Sequence, residues 1–134
     1  MIKNFDATCF KPVSYELRCA KIETIENDDL NEKTFPYALR AGEYVIISSI
    51  EELKMPSNLF AIVVPTSHSI RHGLTINGGK IDPTYSGRVS FGVQNSTNKD
   101  ITIQEGDRLC HLLFTEFKGE TIPLESKYFG DQLT

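Results

Sequence analysis

Cysteine is scarce and scattered in this sequence: Cys9, Cys19 and Cys110 lie far apart, with no C-x-x-C pair. That speaks against a zinc site and against a disulfide framework, and an odd count fits a reducing compartment. Isolated cysteines of this kind are expected to be small buried hydrophobes. Positive charge is not in excess either, since 14 Lys and Arg face 18 Asp and Glu, for a formal net charge of −4. Without a basic field, nucleic acid is not an expected partner. A polyanion would have to be bound locally, by a few aimed donors helped by a divalent cation. No apolar run approaches the ~20 residues that span a bilayer. The N-terminus, MIKNFDATCF, has no basic-then-apolar leader pattern. The expectation is a cytoplasmic protein without a membrane partner. No repeat, linker or shift in composition divides the chain, so residues 1–134 are read as a single domain with one core.

What the sequence does have is short β-prone segments separated by Gly, Pro and Asn turns. Residues 1–12 read as a strand or arm ending at Pro12. The run 13–25, VSYELRCAKIETI, reads as one strand in which Tyr15, Leu17 and Cys19 alternate. Residues 27–37, NDDLNEKTFPY, are polar and broken by Pro36, and read as a mobile loop. After a Gly turn, YVIISSI is a strong β run, EELKMPSN suggests a single helical turn, and LFAIVVPTS (59–67) reads as a buried strand. SHSIRHGL is turn-rich or helical and ends where a C-cap glycine, Gly73, would sit. NGGK (77–80) signals a hairpin, followed by a turn and strand through 96. ITIQEGDRLCHLLFTEF gives strand, turn and strand, with a polar tail after it. Many short strands with little helix mean an all-β sandwich or barrel.

Three places could carry chemistry. Asp82, in IDPTY, is first of all a turn residue that accepts backbone N–H bonds, and Tyr85 first of all a packing residue. Ser67, His68, Ser69, Arg71 and His72 form the densest polar cluster, directly after the most apolar strand. Hydroxyls, an arginine and free backbone N–H groups together can nest an anion, although a solvated loop is the plainer reading. Asp107 and Arg108 after Gly106 read as a turn with a local ion pair.

Taken in order, SYEL (14–17), AGEYVIISSIEELKMPSNLFAIVVPTSHSIRHGL (41–74), IDPTYSG (81–87) and GDRLCHLLF (106–114) resemble the superfamily of dUTP pyrophosphatases and dCTP deaminases. The likeness covers most of residues 14–117, and its middle part is more similar to the deaminase branch. It implies an all-β, dUTPase-like jelly roll or distorted barrel, assembled as a homotrimer with nucleotide sites between subunits. It implies that Asp82 orients the attacking water and that Tyr85 stacks on the deoxyribose. Ser67 and Arg71 would meet the phosphates, with His68 and Lys127 as additional phosphate contacts. Main-chain groups around Gly79 and Ile81 would read the pyrimidine, because glycine lets backbone approach a base closely. His111 stands in for a glutamine of the GDRIAQL-type motif, and Phe129 would stack on the base from a C-terminal tail, about 118–134, expected to be mobile. Mg²⁺ would ride on the substrate phosphates, so no protein metal site is expected.

The sequence also departs from both branches. Gly92 stands where deaminases carry the glutamate that activates water and shuttles protons at the ring. Thr66 stands where an arginine usually precedes the serine, and Glu16 where the first motif usually has Asp. The expected activity is therefore a Mg²⁺-dependent pyrophosphohydrolase for dUTP or a related pyrimidine deoxynucleoside triphosphate. The alternatives are a dCTP deaminase-like protein with a relocated acid/base, or a non-catalytic trimer that binds nucleotide or a protein.

Overall fold

The computed structural model describes residues 1–119. In chain order the strands are β1 (Ile2–Lys3), β2 (Phe10–Lys11), β3 (Ser14–Leu17), β4 (Cys19–Glu26), β5 (Asp29–Lys33), β6 (Tyr37–Leu39) and β7 (Tyr44–Lys54). After β8 (Leu59–Pro65) comes the short helix α1 (Ser67–Arg71). Then follow β9 (Leu74–Asn77), β10 (Lys80–Ile81), β11 (Ser86–Asn95), β12 (Ile101–Ile103) and β13 (Cys110–Glu116). A single 3₁₀ turn, Ala7–Cys9, interrupts the N-terminal arm. One sheet runs β5-β4-β7-β11-β9 with β1 beside β7, a second runs β10-β8-β13-β3-β2, and β12 pairs with β6. All recorded pairings are antiparallel, and the expected all-β jelly-roll fold is what the chain adopts.

The core lies between the faces of the two larger sheets. Strand alternation supplies it: Tyr15, Leu17 and Cys19 are fully buried, as are Ile47, Phe91 and Leu112 to within 1%. Burial raises the thiol pKa of all three cysteines, which leaves them as packing groups. Among the described residues one charged side chain, Glu51, sits inside this core with no exposed surface. Its carboxylate accepts from Tyr15 Oη at 2.7 Å, Arg18 N at 3.0 Å and Arg18 Nε at 2.8 Å. A buried carboxylate persists only when paired and hydrogen-bonded in this way. The Glu51 bond is also the main cause of a raised Arg18 pKa.

Several local expectations are corrected. The run 13–25 is two strands that break at Arg18, whose backbone N–H turns to Glu51 instead of a ladder partner. Residues 27–37 are not a loop: β5 pairs with β4 from Ile22↔Lys33 to Glu26↔Asp29. Asn27 and Asp28 both have positive φ (51° and 67°), the geometry of a tight hairpin turn. The segment looked like loop because β5 is a largely exposed edge strand, where polar side chains are expected. EELK is not helical but the last part of β7, in which Ser49, Glu51 and Leu53 point inward. Two polar residues on the buried face hid the strand's period. NGGK is not a hairpin turn: β9 pairs with β11, whereas β10 crosses to the other sheet and pairs with β8. A Cβ on Gly78 would lie 2.4 Å from Val63 Cβ, so the corner admits only glycine. LFAIVVP buries only Ala61 and Val63 well, and Ile62 is 41% exposed.

Candidate functional site

The segment after β8 begins with Thr66, which caps α1. Its Oγ1 accepts from Ser69 N at 3.2 Å and lies 3.3 Å from the carbonyl oxygens of Arg108 and Leu109. Ser69 Oγ donates to Leu109 O at 2.6 Å, so the helix start is stitched to the beginning of β13. Thr66 is thus an inward, 5% exposed cap and offers nothing to solvent. Ser67, His68 and Arg71 are exposed on α1, and Arg71 pairs with no described residue. Gly73, at φ +76°, follows the C-cap His72 as expected. His68 and His72, four residues apart, stack with ring centroids 4.1 Å apart. That spacing can suit a metal, but among the described residues no group of three ligands exists to complete a site. His111, half-buried on β13, lies opposite Val64 and Glu16, at the same end of β8 as α1.

Asp107 and Arg108 do not form the expected local pair. The Asp107 carboxylate accepts from Gln104 N at 2.8 Å and closes the turn. Arg108 reaches Glu16 Oε1 at 3.5 Å and Thr8 Oγ1 at 2.8 Å instead. The SYEL and GDRL segments therefore hold each other across the β3–β13 ladder.

The second cluster begins at the glycine corner. Gly79 accepts from Val63 N at 3.0 Å through its carbonyl, and Ile81 is 1% exposed opposite Ala61. At Asp82 the turn is closed by its carbonyl, which accepts from Tyr85 N at 3.2 Å. The carboxylate is left over from that job; it is 37% exposed and pairs with Lys80 Nζ. Lys80 was not anticipated, although its place two residues earlier on an extended segment puts both side chains on one face. Tyr85 is 3% exposed, with Oη donating to Arg88 O, so any ligand could touch only its rim.

These two clusters do not converge within one chain. The corner joins β8 at Ala61, whereas α1 leaves it after Pro65. At about 3.3 Å per residue they are separated by roughly 13 Å along the strand, and Asp82 and Tyr85 lie farther still. Ser67, His68, Arg71 and His111 gather at one end; Asp82 and Tyr85 stand at the other, beside Pro56. Phe129 and Lys127 lie outside the described residues.

Gly92 belongs to a third feature. It is buried on β11, with Ile46 and Asn77 as its partners on either side. A Cβ built there would lie 1.8 Å from Tyr44 Oη and 2.4 Å from Tyr44 Cζ. The first atom of any side chain at position 92 would enter space that the Tyr44 phenol already fills. Nothing in the local sequence signals this, because Tyr44 is opposite Gln94 and reaches Gly92 diagonally across the ladder.

A family model described as dCTP deaminase-like matches residues 1–117. The chain is 30% identical over 100 residues to a dUMP-forming dCTP deaminase of Dictyoglomus turgidum, covering 73% of this chain and 50% of that protein. It is 22% identical over 132 residues to a dCTP deaminase of Pyrococcus furiosus, covering 98% and 83%. Among solved structures, a 2′-deoxycytidine 5′-triphosphate deaminase from Agrobacterium tumefaciens superposes with a TM-score of 0.76 at 21% identity, over 84% of this chain and 41% of that one. The dUTPase of Staphylococcus aureus phage phi11 gives 0.66 at 14%, over 94% and 95%. This chain thus spans about half the length of the Dictyoglomus relative and nearly all of the phage dUTPase.

Proposed function

The chain belongs to the dCTP deaminase-like family, and on that premise we propose that it is a pyrophosphohydrolase for dUTP or a related pyrimidine deoxynucleoside triphosphate. The observation that carries this reading is the Asp82 carboxylate. The turn is built by its carbonyl, which leaves the side chain free of a structural duty in the backbone. A carboxylate so placed can accept a proton from water and direct it at the α-phosphate. The new P–O bond forms as the bond to the β-phosphate breaks, and pyrophosphate leaves with that electron pair. Ser67, Arg71 and His68 supply donors for the phosphates, from the far end of β8 and therefore from a second copy of the chain. His111 stands with them.

Mg²⁺ is proposed as a passenger of the substrate phosphates, and Asp82 itself faces Lys80. Bound to the triphosphate, the ion would neutralise charge there. The assembly proposed is a homotrimer. Its support is the gap between the two half-sites together with the outward apolar residues of β8, of which Ile62 is 41% exposed.

Deamination has less support, because the room a glutamate at position 92 would need holds Tyr44. A binding protein without turnover is favoured by one observation, the Lys80–Asp82 pair, which holds the base candidate in an ion pair. The test is incubation of purified protein with Mg²⁺ and dUTP, dCTP, dTTP or UTP, with products resolved by ion exchange. Formation of dUMP from dUTP but no UMP from UTP supports the hydrolase. Ammonia release from dCTP would establish the deaminase instead, and tight nucleotide binding without any product would establish the binding protein.

A further inference from the structure

We infer that Tyr44 is a specificity-determining residue that reads the polar edge of the pyrimidine base. The inference rests on the nucleotide reading above and adds a residue to it. Four observations converge. The Tyr44 hydroxyl lies directly over Gly92, 1.8 Å from where a Cβ would be. Gly92 is the cross-strand partner of Asn77, the residue that opens the glycine corner leading to Asp82. Adjacent strands are about 4.8 Å apart, so the hydroxyl is within one strand spacing of that corner. Tyr44 is half-buried, yet its hydroxyl bonds no described residue, and the exposed Asn77 amide bonds none either.

A half-buried phenol usually finds a partner for its O–H. Here the phenol and an amide flank a glycine that contributes no side chain of its own. Paired residues of a ladder point to the same face, so Asn77 projects on the side where Tyr44 covers Gly92. The result is a phenol ring laid over Gly92, with its hydroxyl at the edge and an amide on the same face of the neighbouring strand. A planar heterocycle with adjacent donors and acceptors can meet both groups edge-on. A hydroxyl both donates and accepts, so it can meet the carbonyl of uracil or the amino group of cytosine. In this chain the phenol therefore takes the place, beside the base, that a longer side chain on β11 would occupy.

The experiment measures, by calorimetry on the full chain, the affinity for non-hydrolysable 2′-deoxyuridine imidotriphosphate and for inorganic tripolyphosphate. The wild type, Tyr44→Phe and Gly92→Ala are compared, with thermal unfolding confirming that each is folded. Loss of one hydrogen bond predicts an affinity for the nucleotide about tenfold lower in Tyr44→Phe, with tripolyphosphate affinity unchanged. Gly92→Ala, which pushes the ring aside, should weaken the nucleotide in the same selective way. Equal nucleotide affinity in wild type and Tyr44→Phe would overturn the inference and leave the nucleotide reading standing. An equal loss for both probes would also overturn it, since the ring would then be acting on the fold or on the phosphate end. A wild type that binds neither probe would overturn both.

Discussion

Lys80 and Asp82 sit on one face of the segment that leaves the glycine corner and form an ion pair at the proposed base. If Asp82 directs water, Asp82→Asn keeps the size of the side chain and removes its proton affinity. Release of dUMP should then fall by at least about 100-fold, in line with loss of a general base, while the assembly measured by light scattering stays the same. Hydrolysis that survives this change would assign the base elsewhere. Thr66 illustrates the opposite case, in which a departure from the family pattern has a structural reason. Its hydroxyl caps α1 and meets two carbonyl groups of the segment that enters β13. Thr66→Arg would therefore restore the family's charge at the expense of the cap. It should destabilise the chain by about 1–2 kcal/mol, the usual cost of a lost N-cap, in urea unfolding followed by circular dichroism. An unchanged midpoint would mean that the cap is not what fixes this residue.

At the level of elements, the sequence was readable where strand periodicity and turn residues agreed. The alternation of Tyr15, Leu17 and Cys19, the C-cap glycine Gly73 and the IDPTYSG turn all lie where local chemistry puts them. It was misread where a polar side chain had a tertiary partner. Glu51 looks like a surface residue until Tyr15 and Arg18 are brought to it from 36 and 33 positions away. Tyr44 looks like one more strand aromatic until β11 places Gly92 beneath its ring. The turn between β6 and β7 shows such a partnership on a small scale. Tyr37 Oη donates to Glu43 Oε2 at 2.5 Å, and Glu43 Oε1 accepts from Arg40 N at 3.0 Å. Burial first, and then the bond to Glu43, push the phenol up from 10 to about 12. The folded state thus holds this proton more tightly than the unfolded chain. The contribution is complete below pH 10 and disappears as pH rises from 10 towards 12. Tyr37→Phe removes it, so across that window the wild type should lose urea midpoint more steeply than the variant. Parallel curves would show that the folded state does not hold this proton more tightly than the unfolded chain.

For the molecule as a whole, the decisive feature is that β8 keeps its two ends apart. Helix α1, with Ser67 and Arg71, leaves one end, and the corner with Asp82 belongs to the other. Under the proposed function, a triphosphate at Asp82 would need donors that its own chain presents elsewhere, and a second copy would bring them. Under that arrangement the two halves of a site are genetically separable. Chains carrying Asp82→Asn and chains carrying Arg71→Ala should each be nearly inactive alone. Co-expressed in equal amounts with different tags and purified through both, they form mixed assemblies. In a mixed ring of three identical interfaces, about one third of the sites pair an intact Asp82 half with an intact Arg71 half. Activity should therefore return to roughly that fraction of the wild-type value. A chain that completes its own site would give no recovery, because every site would then carry one of the two lesions. The same mixed preparation separates the enzyme from a binding protein: recovered turnover requires both halves to act on one nucleotide, which binding at either half alone cannot produce.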